Sequence, residues 1–587
     1  MKKVLYAASE AVPFIKTGGL ADVVGTLPGY FPKDEYDVRV ILPKYACMKE
    51  ELSQNLKKIL TCRVDLNWRQ QFTEVYEAQA DGITYYLIGN DFYFAGPKPY
   101  DHIYLDAEKF AYFSKAVLTI LPLIEFQPDI IHTHDWQTGL VPAFLKVQFA
   151  QDPFYRYIRT IHTIHNMKYQ GRWYIDAVKD ITGLPDHCFT NDTMECYGKA
   201  NLLKAGLVYA DRITTVSASY AIEIQTPDGG EGLDGLMRAR CADLSGICNG
   251  IDYEAYDPRT DPQISRNLKR SVPVYKAANK ADLQKEMGLD EDPDAFLIGM
   301  VSRLADQKGF DLVLQAGEEI LKVPGVQMVI LGSGEERYEN ALRGLASKDP
   351  SRICAWIGYS DQTAHRIYAG ADAFLMPSQF EPCGLSQMIA MRYGTVPLVR
   401  MTGGLLDTVE PYNAQKGTGD GFAFGEYNAW DMLRMIGEAA GIYRNEPDAW
   451  ARIRENGMRK DFSWKKSADG YRFLYDRFAQ DAGAQKKYDL AAAREEADRT
   501  VAQKEAELAE AKKAAEEAAA REAAGTACIQ PDAAQTAAKQ TAAQKPAEKQ
   551  AAAQKSAAKK EAAKKTAEKQ ASAQKPAAKQ KTKQPKQ

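Results

Sequence analysis

From Lys3 onward, short apolar runs alternate with longer segments whose apolar residues recur at helical spacing. Lys3-Val4-Leu5-Tyr6-Ala7-Ala8 opens a first series of strand-like runs, followed by Val38-Arg39-Val40-Ile41-Leu42-Pro43. Asp129-Ile130-Ile131-His132-Thr133-His134, Arg159-Thr160-Ile161-His162-Thr163-Ile164-His165 and Arg212-Ile213-Thr214-Thr215-Val216-Ser217 continue it, and Asn249-Gly250-Ile251-Asp252 ends it in a turn. The stretch from Pro258 to Pro293 is rich in Pro, Asp and Lys and predicts a connector with one short helix. A second series starts at Phe296-Leu297-Ile298-Gly299-Met300-Val301-Ser302 and passes through Gln327–Gly334, Ile353–Gly358, Asp372–Pro377 and Thr395–Val399. The amphipathic run from Ser463 to Gln480 predicts a helix that closes the body.

Strands alternating with helices predict an α/β fold with parallel sheets. Two Rossmann-like halves of comparable size imply a cleft between them, with ligands at the carboxyl ends of the strands. The boundaries read as 1–252 for the first domain, completed by the closing helix over 463–484, and 253–462 for the second. A charged helix over 485–526 and a basic low-complexity tail over 527–587 follow. At 587 residues the chain is too long for one core.

The overall charge of −3 hides a segregation. The tail after Thr526 carries 14 lysines against Asp532, Glu548, Glu561 and Glu568, a net of +10; residues 485–526 carry −2, so the body before Gln485 carries −11. Asp489 to Ala524 is dominated by strong helix formers without a heptad seam, which predicts a solvated single helix. Repeated blocks such as Ala543-Gln544-Lys545-Pro546 have almost nothing to bury and predict disorder. Such a tail has two readings, a solvated spacer or a tether to a polyanion.

The 9 cysteines lack paired spacing, which predicts reduced thiols in the cytoplasm. Glu10, Pro13 and Lys16 interrupt the apolar start before it reaches signal-peptide length. No uncharged stretch approaches the roughly 20 residues of a membrane span.

Candidate chemistry gathers at the strand ends. After the first strand, Lys16-Thr17-Gly18-Gly19-Leu20-Ala21-Asp22 sets two glycines and a helix start where backbone N–H groups can meet an anion. After the first strand of the second series come Arg303 and Lys308, a guanidinium fork and a point charge able to neutralise a diphosphate leaving group. Phe380-Glu381-Pro382-Cys383-Gly384-Leu385 follows another apolar run and places a carboxylate at a strand end facing the cleft. Thr402-Gly403-Gly404 offers further backbone N–H groups. In the first half, Asp135 and His165 each sit at a strand's carboxyl end, with Trp136 as a sugar platform. No histidine, cysteine or Asp-x-Asp spacing predicts a metal site, so phosphate charge would be met by Lys16, Arg303 and Lys308 alone.

These motifs resemble those of bacterial glycogen and starch synthases, over Lys3 to about Gln480 and not over the tail. The resemblance implies the two-domain arrangement called GT-B. It implies transfer of glucose from ADP-glucose or UDP-glucose to the non-reducing end of an α-1,4-glucan, with the α configuration kept and no cofactor. It places Lys16, Gly18 and Gly19 at the donor diphosphate and glucosyl region, with Asp22 nearby, and Arg303 and Lys308 at the distal phosphate. Glu381 would hold the transferring sugar or the ribose, and Cys383, Gly384 and Leu385 would continue the donor site with Thr402, Gly403 and Gly404. Asn249 falls near the hinge and Tyr359 near the nucleobase, where it either stacks or packs half-buried. One departure is Ile389, where related transferases carry a second Glu, so a paired-carboxylate mechanism is not expected. Alternatives are another retaining GT-B transferase, making a lipid- or protein-linked sugar, and a non-catalytic glucan-binding scaffold.

Overall fold

The computed structural model describes residues 1–100 and 105–480, together with Asp489, Arg499, Gln503, Ala506 and Lys513. The first half contains β1 (Lys2–Ala7), β2 (Tyr36–Pro43), β3 (Lys57–Leu66), β4 (Arg69–Ala80), β5 (Ile83–Gly89), β6 (Ile130–His134), β7 (Arg159–Ile164), β8 (Arg172–Tyr174), β9 (Glu195–Cys196), β10 (Lys199–Asn201), β11 (Arg212–Thr215) and β12 (Leu244–Gly246). Nine of these form one sheet in the order β12-β11-β7-β6-β1-β2-β5-β4-β3, while β8, β10 and β9 form a small sheet of their own. The large sheet is parallel except at β4, which runs antiparallel to both neighbours.

The second half contains β13 (Phe296–Val301), β14 (Val326–Gly332), β15 (Ile353–Ile357), β16 (Ala373–Met376), β17 (Val396–Arg400) and β18 (Phe422–Phe424). They build a parallel sheet ordered β15-β14-β13-β16-β17-β18. Strand periodicity divides its core. Phe296, Ile298 and Met300 pack on one face with Phe310 and Ile436, and Leu297 packs on the other with Leu283 and Ile367. Helices cover both faces, the condition that lets a parallel sheet be apolar throughout.

The two crossings between halves lie side by side. Ile251 N–H donates to the Phe462 carbonyl at 2.8 Å, and a Cβ at Gly250 would stand 2.6 Å from the Trp464 nitrogen. The helix over 464–480 then returns to the first half, where Trp464, Tyr471, Tyr475 and Phe478 join its core. Tyr475 anchors it: its hydroxyl meets Tyr6 Oη at 2.7 Å and His132 Nδ1 at 2.6 Å.

Two sequence expectations change. The connector's helix runs over Val272–Met287, 16 residues rather than the short helix expected, capped by Ser271 and ended by Gly288 at φ 71°. The β3–β4–β5 meander extends the first sheet beyond the apolar runs. The segments 481–488 and most of 489–587 lie outside the described residues, and with them the end of the closing helix, the tail expected to be disordered and most of the expected charged helix; the five described positions there are helical.

Candidate active site

Beyond Ala7 the chain leaves β1 and turns Glu10 inward. The buried carboxylate accepts hydrogen bonds from the Thr17 amide, from Thr17 Oγ1 at 2.8 Å, from the Gly18 amide at 3.3 Å and from Tyr100 Oη at 2.9 Å. Burial raises its pKa against the pull of these donors. Glu10 therefore fixes the Lys16–Gly19 loop from behind. A Cβ added at Gly18 would meet nothing within 4 Å, so the loop's outer face is open space. Lys16 Nζ pairs with Asp22 Oδ1 at 2.7 Å, and burial nonetheless raises the Asp22 pKa.

The second half supplies the opposite wall. After β13 the chain passes Arg303 and makes a short 3-10 turn over Asp306–Lys308, closed by Gly309 at φ 74°. Lys308 Nζ reaches Glu381 Oε2 at 2.6 Å, and Ser378 Oγ donates to the same oxygen at 3.0 Å. Contacts also span the cleft: Asn166 Nδ2 donates to Gln307 Oε1 at 3.3 Å, and the Arg303 guanidinium stands 5.9 Å from the Tyr169 ring.

Asp135, just beyond β6, takes φ 54° and ψ −175°, a backbone conformation that costs a non-glycine residue of order 1–3 kcal/mol and concentrates at functional sites. Its Oδ1 accepts the His165 amide at 2.7 Å. Enclosure without a cationic partner pushes its pKa up to about 7, while burial pushes that of His165 down to about 3.

These pieces enclose a cavity of about 720 Å³. Of the residues singled out from sequence, the cavity brings together Lys16, Gly18, Gly19, Asp22, His165, Asn249, Arg303, Lys308, Glu381, Cys383, Gly384 and Leu385, with Trp136. The buried Asn249 Oδ1 has no hydrogen-bond partner among the described residues. Asp135 stands behind this wall, under the His165 backbone.

Thr402 is placed elsewhere, on a neighbouring cavity of about 500 Å³. The Gly403 amide is already taken, donating to Glu223 Oε1 at 2.7 Å, and Thr402 Oγ1 donates to the same oxygen at 3.1 Å. Gly404 supports the Glu381 loop instead: its amide donates to the Glu381 carbonyl at 2.9 Å, and a Cβ there would lie 2.2 Å from the Cys383 oxygen. Tyr359 is 81% exposed and lines neither cavity. Glu10, Asn166, Tyr169 and Gln307 line the main cavity without having been singled out. The only cue to Glu10 was an acid directly beyond an apolar run.

The cavity sets three cations, Lys16, Arg303 and Lys308, among Glu10, Asp22 and Glu381. Among the described residues, no cluster of three or more His, Cys, Asp or Glu is arranged to hold a metal ion.

Two Rossmann-like halves facing each other across such a cleft define a GT-B glycosyltransferase. Residues 3–239 match the family described as starch synthase catalytic domain, and residues 282–441 match glycosyl transferases group 1. The chain is 55% identical over 477 residues to a glycogen synthase of Lachnospira eligens, covering 81% of this chain and 100% of that one. It is 47% identical over 475 residues to a glycogen synthase of Geobacillus stearothermophilus, covering 81% and 97%. Among solved structures, the catalytic domain of starch synthase IV from Arabidopsis thaliana, bound to ADP and acarbose, superposes with a TM-score of 0.76 at 31% identity, over 82% of this chain and 99% of that one. The chain belongs to the glycogen synthase family.

Proposed function

We infer that the protein is a glycogen synthase, transferring glucose from ADP-glucose or UDP-glucose to the non-reducing end of an α-1,4-glucan with retention of configuration. The observation that carries this reading is the placement of Arg303 and the Lys308–Glu381 pair opposite the open Lys16–Gly19 loop. The nucleotide would lie on 253–462 and the glucan acceptor would approach along 1–252. Arg303 and Lys308 would neutralise the departing diphosphate, their charge interactions strengthened where the closed cleft excludes water. Lys16, on the other wall, lines the same cavity, and closure of the cleft would keep water from hydrolysing the donor.

Retention without an enzyme nucleophile fits same-face attack through an oxocarbenium-like state. Glu381 is already paired with Lys308, Asp135 lies behind His165, and Ile389 stands where a second carboxylate would be. Transfer would need no metal, because three side-chain cations meet the phosphate charge. The cytoplasm is the expected compartment, and a polyanion is the candidate partner of the basic tail.

The test follows labelled glucose from ADP-glucose and from UDP-glucose into glycogen, in chelator, for wild type and Glu381→Ala. Incorporation that collapses in the variant supports the reading and names the donor. No incorporation from either donor by folded enzyme, with or without Mg²⁺, sinks it; incorporation only with Mg²⁺ sinks metal independence alone.

A further inference from the structure

Behind His165 lies a group of buried imidazoles that the transfer chemistry above does not use. His132 and His134 alternate with Thr133 on β6 and therefore share a face, their rings stacked 4.4 Å apart. The Tyr6 ring lies 5.4 Å from that of His134. His134 Nδ1 stands 3.0 Å from His165 Nε2. His134 Nε2 is buried and has no hydrogen-bond partner among the described residues. Burial lowers the pKa of both rings, His165 to about 3, so both are neutral at physiological pH.

Two neutral imidazoles joined by one hydrogen bond have two arrangements. In one, His134 Nδ1–H donates to His165 Nε2, and the proton of His165 sits on Nδ1. In the other, His165 Nε2–H donates, and the proton of His134 must sit on Nε2, a buried donor with no acceptor. Orphaned buried N–H groups are rare, more so than under-used acceptors. The first arrangement leaves only a bare nitrogen at that place.

We propose that His134 is a positioning residue that fixes His165 as its Nδ1–H tautomer, so that His165 offers the cavity an N–H donor rather than a lone pair. A sugar oxygen in the cavity then accepts from a ring whose orientation is set from behind. This use of His165 rests on the transferase reading; the tautomer itself does not.

The experiment therefore begins with the tautomer. The full chain, labelled with ¹⁵N-histidine, is examined by NMR, and the His165 signals are identified by their loss in His165→Ala. The expected spectrum shows His165 protonated at Nδ1 and bare at Nε2; protonation at Nε2 overturns the proposal whatever the enzyme transfers. Kinetics follow on folded variants. His134→Leu is expected to lower kcat about 10–100-fold, as loss of an orienting partner does, with KM for the nucleotide sugar changed by less than about twofold. His134→Asn, whose amide can donate from near the Nδ1 position, is expected to restore most of kcat. An unchanged kcat in the Leu variant, or equal loss in both, overturns the positioning role. If His134→Leu does not fold, the wild-type spectrum and the Asn variant still decide.

Discussion

Lys308 and Glu381 form an ion pair of 2.6 Å between two different loops of the second half, one following β13 and the other following β16. Glu381 is buried, and among the described residues its paired oxygen has only Ser378 Oγ besides Lys308. The pair therefore serves folding and chemistry together: each charge is tolerable because the other is there.

Lys308→Ala strands the Glu381 carboxylate in a site built for a pair. A loss of up to about 3 kcal/mol is expected, the low end for a broken buried pair because Lys308 keeps some solvent. The double variant Lys308→Ala/Glu381→Ala is expected to recover most of that stability and none of the activity. Denaturant unfolding alongside glucan synthesis checks this. Stability losses that simply add in the double variant would show that the two residues act independently.

Asp135 predicts a pH dependence of stability. Its folded pKa of about 7 lies above the ordinary 3.8 because burial penalises the carboxylate. Between those values the native state holds a proton that the unfolded state has released, so stability from this group is full below about pH 4 and is lost as pH rises through 7. Asp135→Asn keeps an acceptor for the His165 amide and removes the titration. The difference in melting temperature between variant and wild type is expected to shift in the variant's favour from pH 5 to pH 8. A difference that stays flat over that range would refute the raised pKa. Asp22 shifts alike in both proteins and cancels in the comparison, while Glu10, whose charge helps raise the Asp135 pKa, loses that repulsion in the variant and moves the difference the same way.

The parallel strands β1, β2, β6, β7, β11 and β13 to β17 were legible because burial writes most of them as continuous apolar runs, and the motif residues follow directly from where those runs end; β5, β12 and β18, parallel as well, were not marked out. The β3–β4–β5 meander was not, since Arg69-Gln70-Gln71-Phe72-Thr73-Glu74-Val75-Tyr76 is half-exposed and breaks into polar alternation. Its turns were readable all the same: Asp81-Gly82, with φ of 50° and 72°, is the dipeptide a two-residue hairpin favours. The 272–287 helix was underestimated because Lys276 and Lys280 count as polar but are buried. Lys276 Nζ donates to the Ala369 and Ala371 carbonyls and to Thr395 Oγ1, and burial brings its pKa down to about 7.

Local wording failed where a distant residue decides the outcome. Thr402-Gly403 reads as an open anion cradle, yet Glu223, 180 residues away from Gly403 in sequence, already occupies it. Nor does anything near Glu10 announce that it turns back onto the Gly18 amide; only the folded loop shows it.

Gly18 and Gly309 each lie close to a cavity lysine in sequence, Lys16 and Lys308, and carry opposite physical burdens. Gly309 has φ 74°, and a Cβ there would stand 2.1 Å from the Pro377 carbonyl oxygen. Gly309→Ala is expected to introduce backbone strain of about 1–3 kcal/mol before that clash is counted, and to displace its neighbour Lys308. Gly18 has an extended backbone at φ −158° that any residue adopts, with open space beyond. Gly18→Ala is therefore expected to leave stability within about 0.5 kcal/mol of wild type. Its methyl group instead enters the cavity where the nucleotide sugar approaches, raising KM for the donor about tenfold, the cost of one misplaced group at roughly 1.4 kcal/mol. Thermal unfolding and donor saturation curves separate the two. A Gly18→Ala enzyme that melts early with an unchanged KM would mean that this loop is kept bare for the fold and not for the substrate.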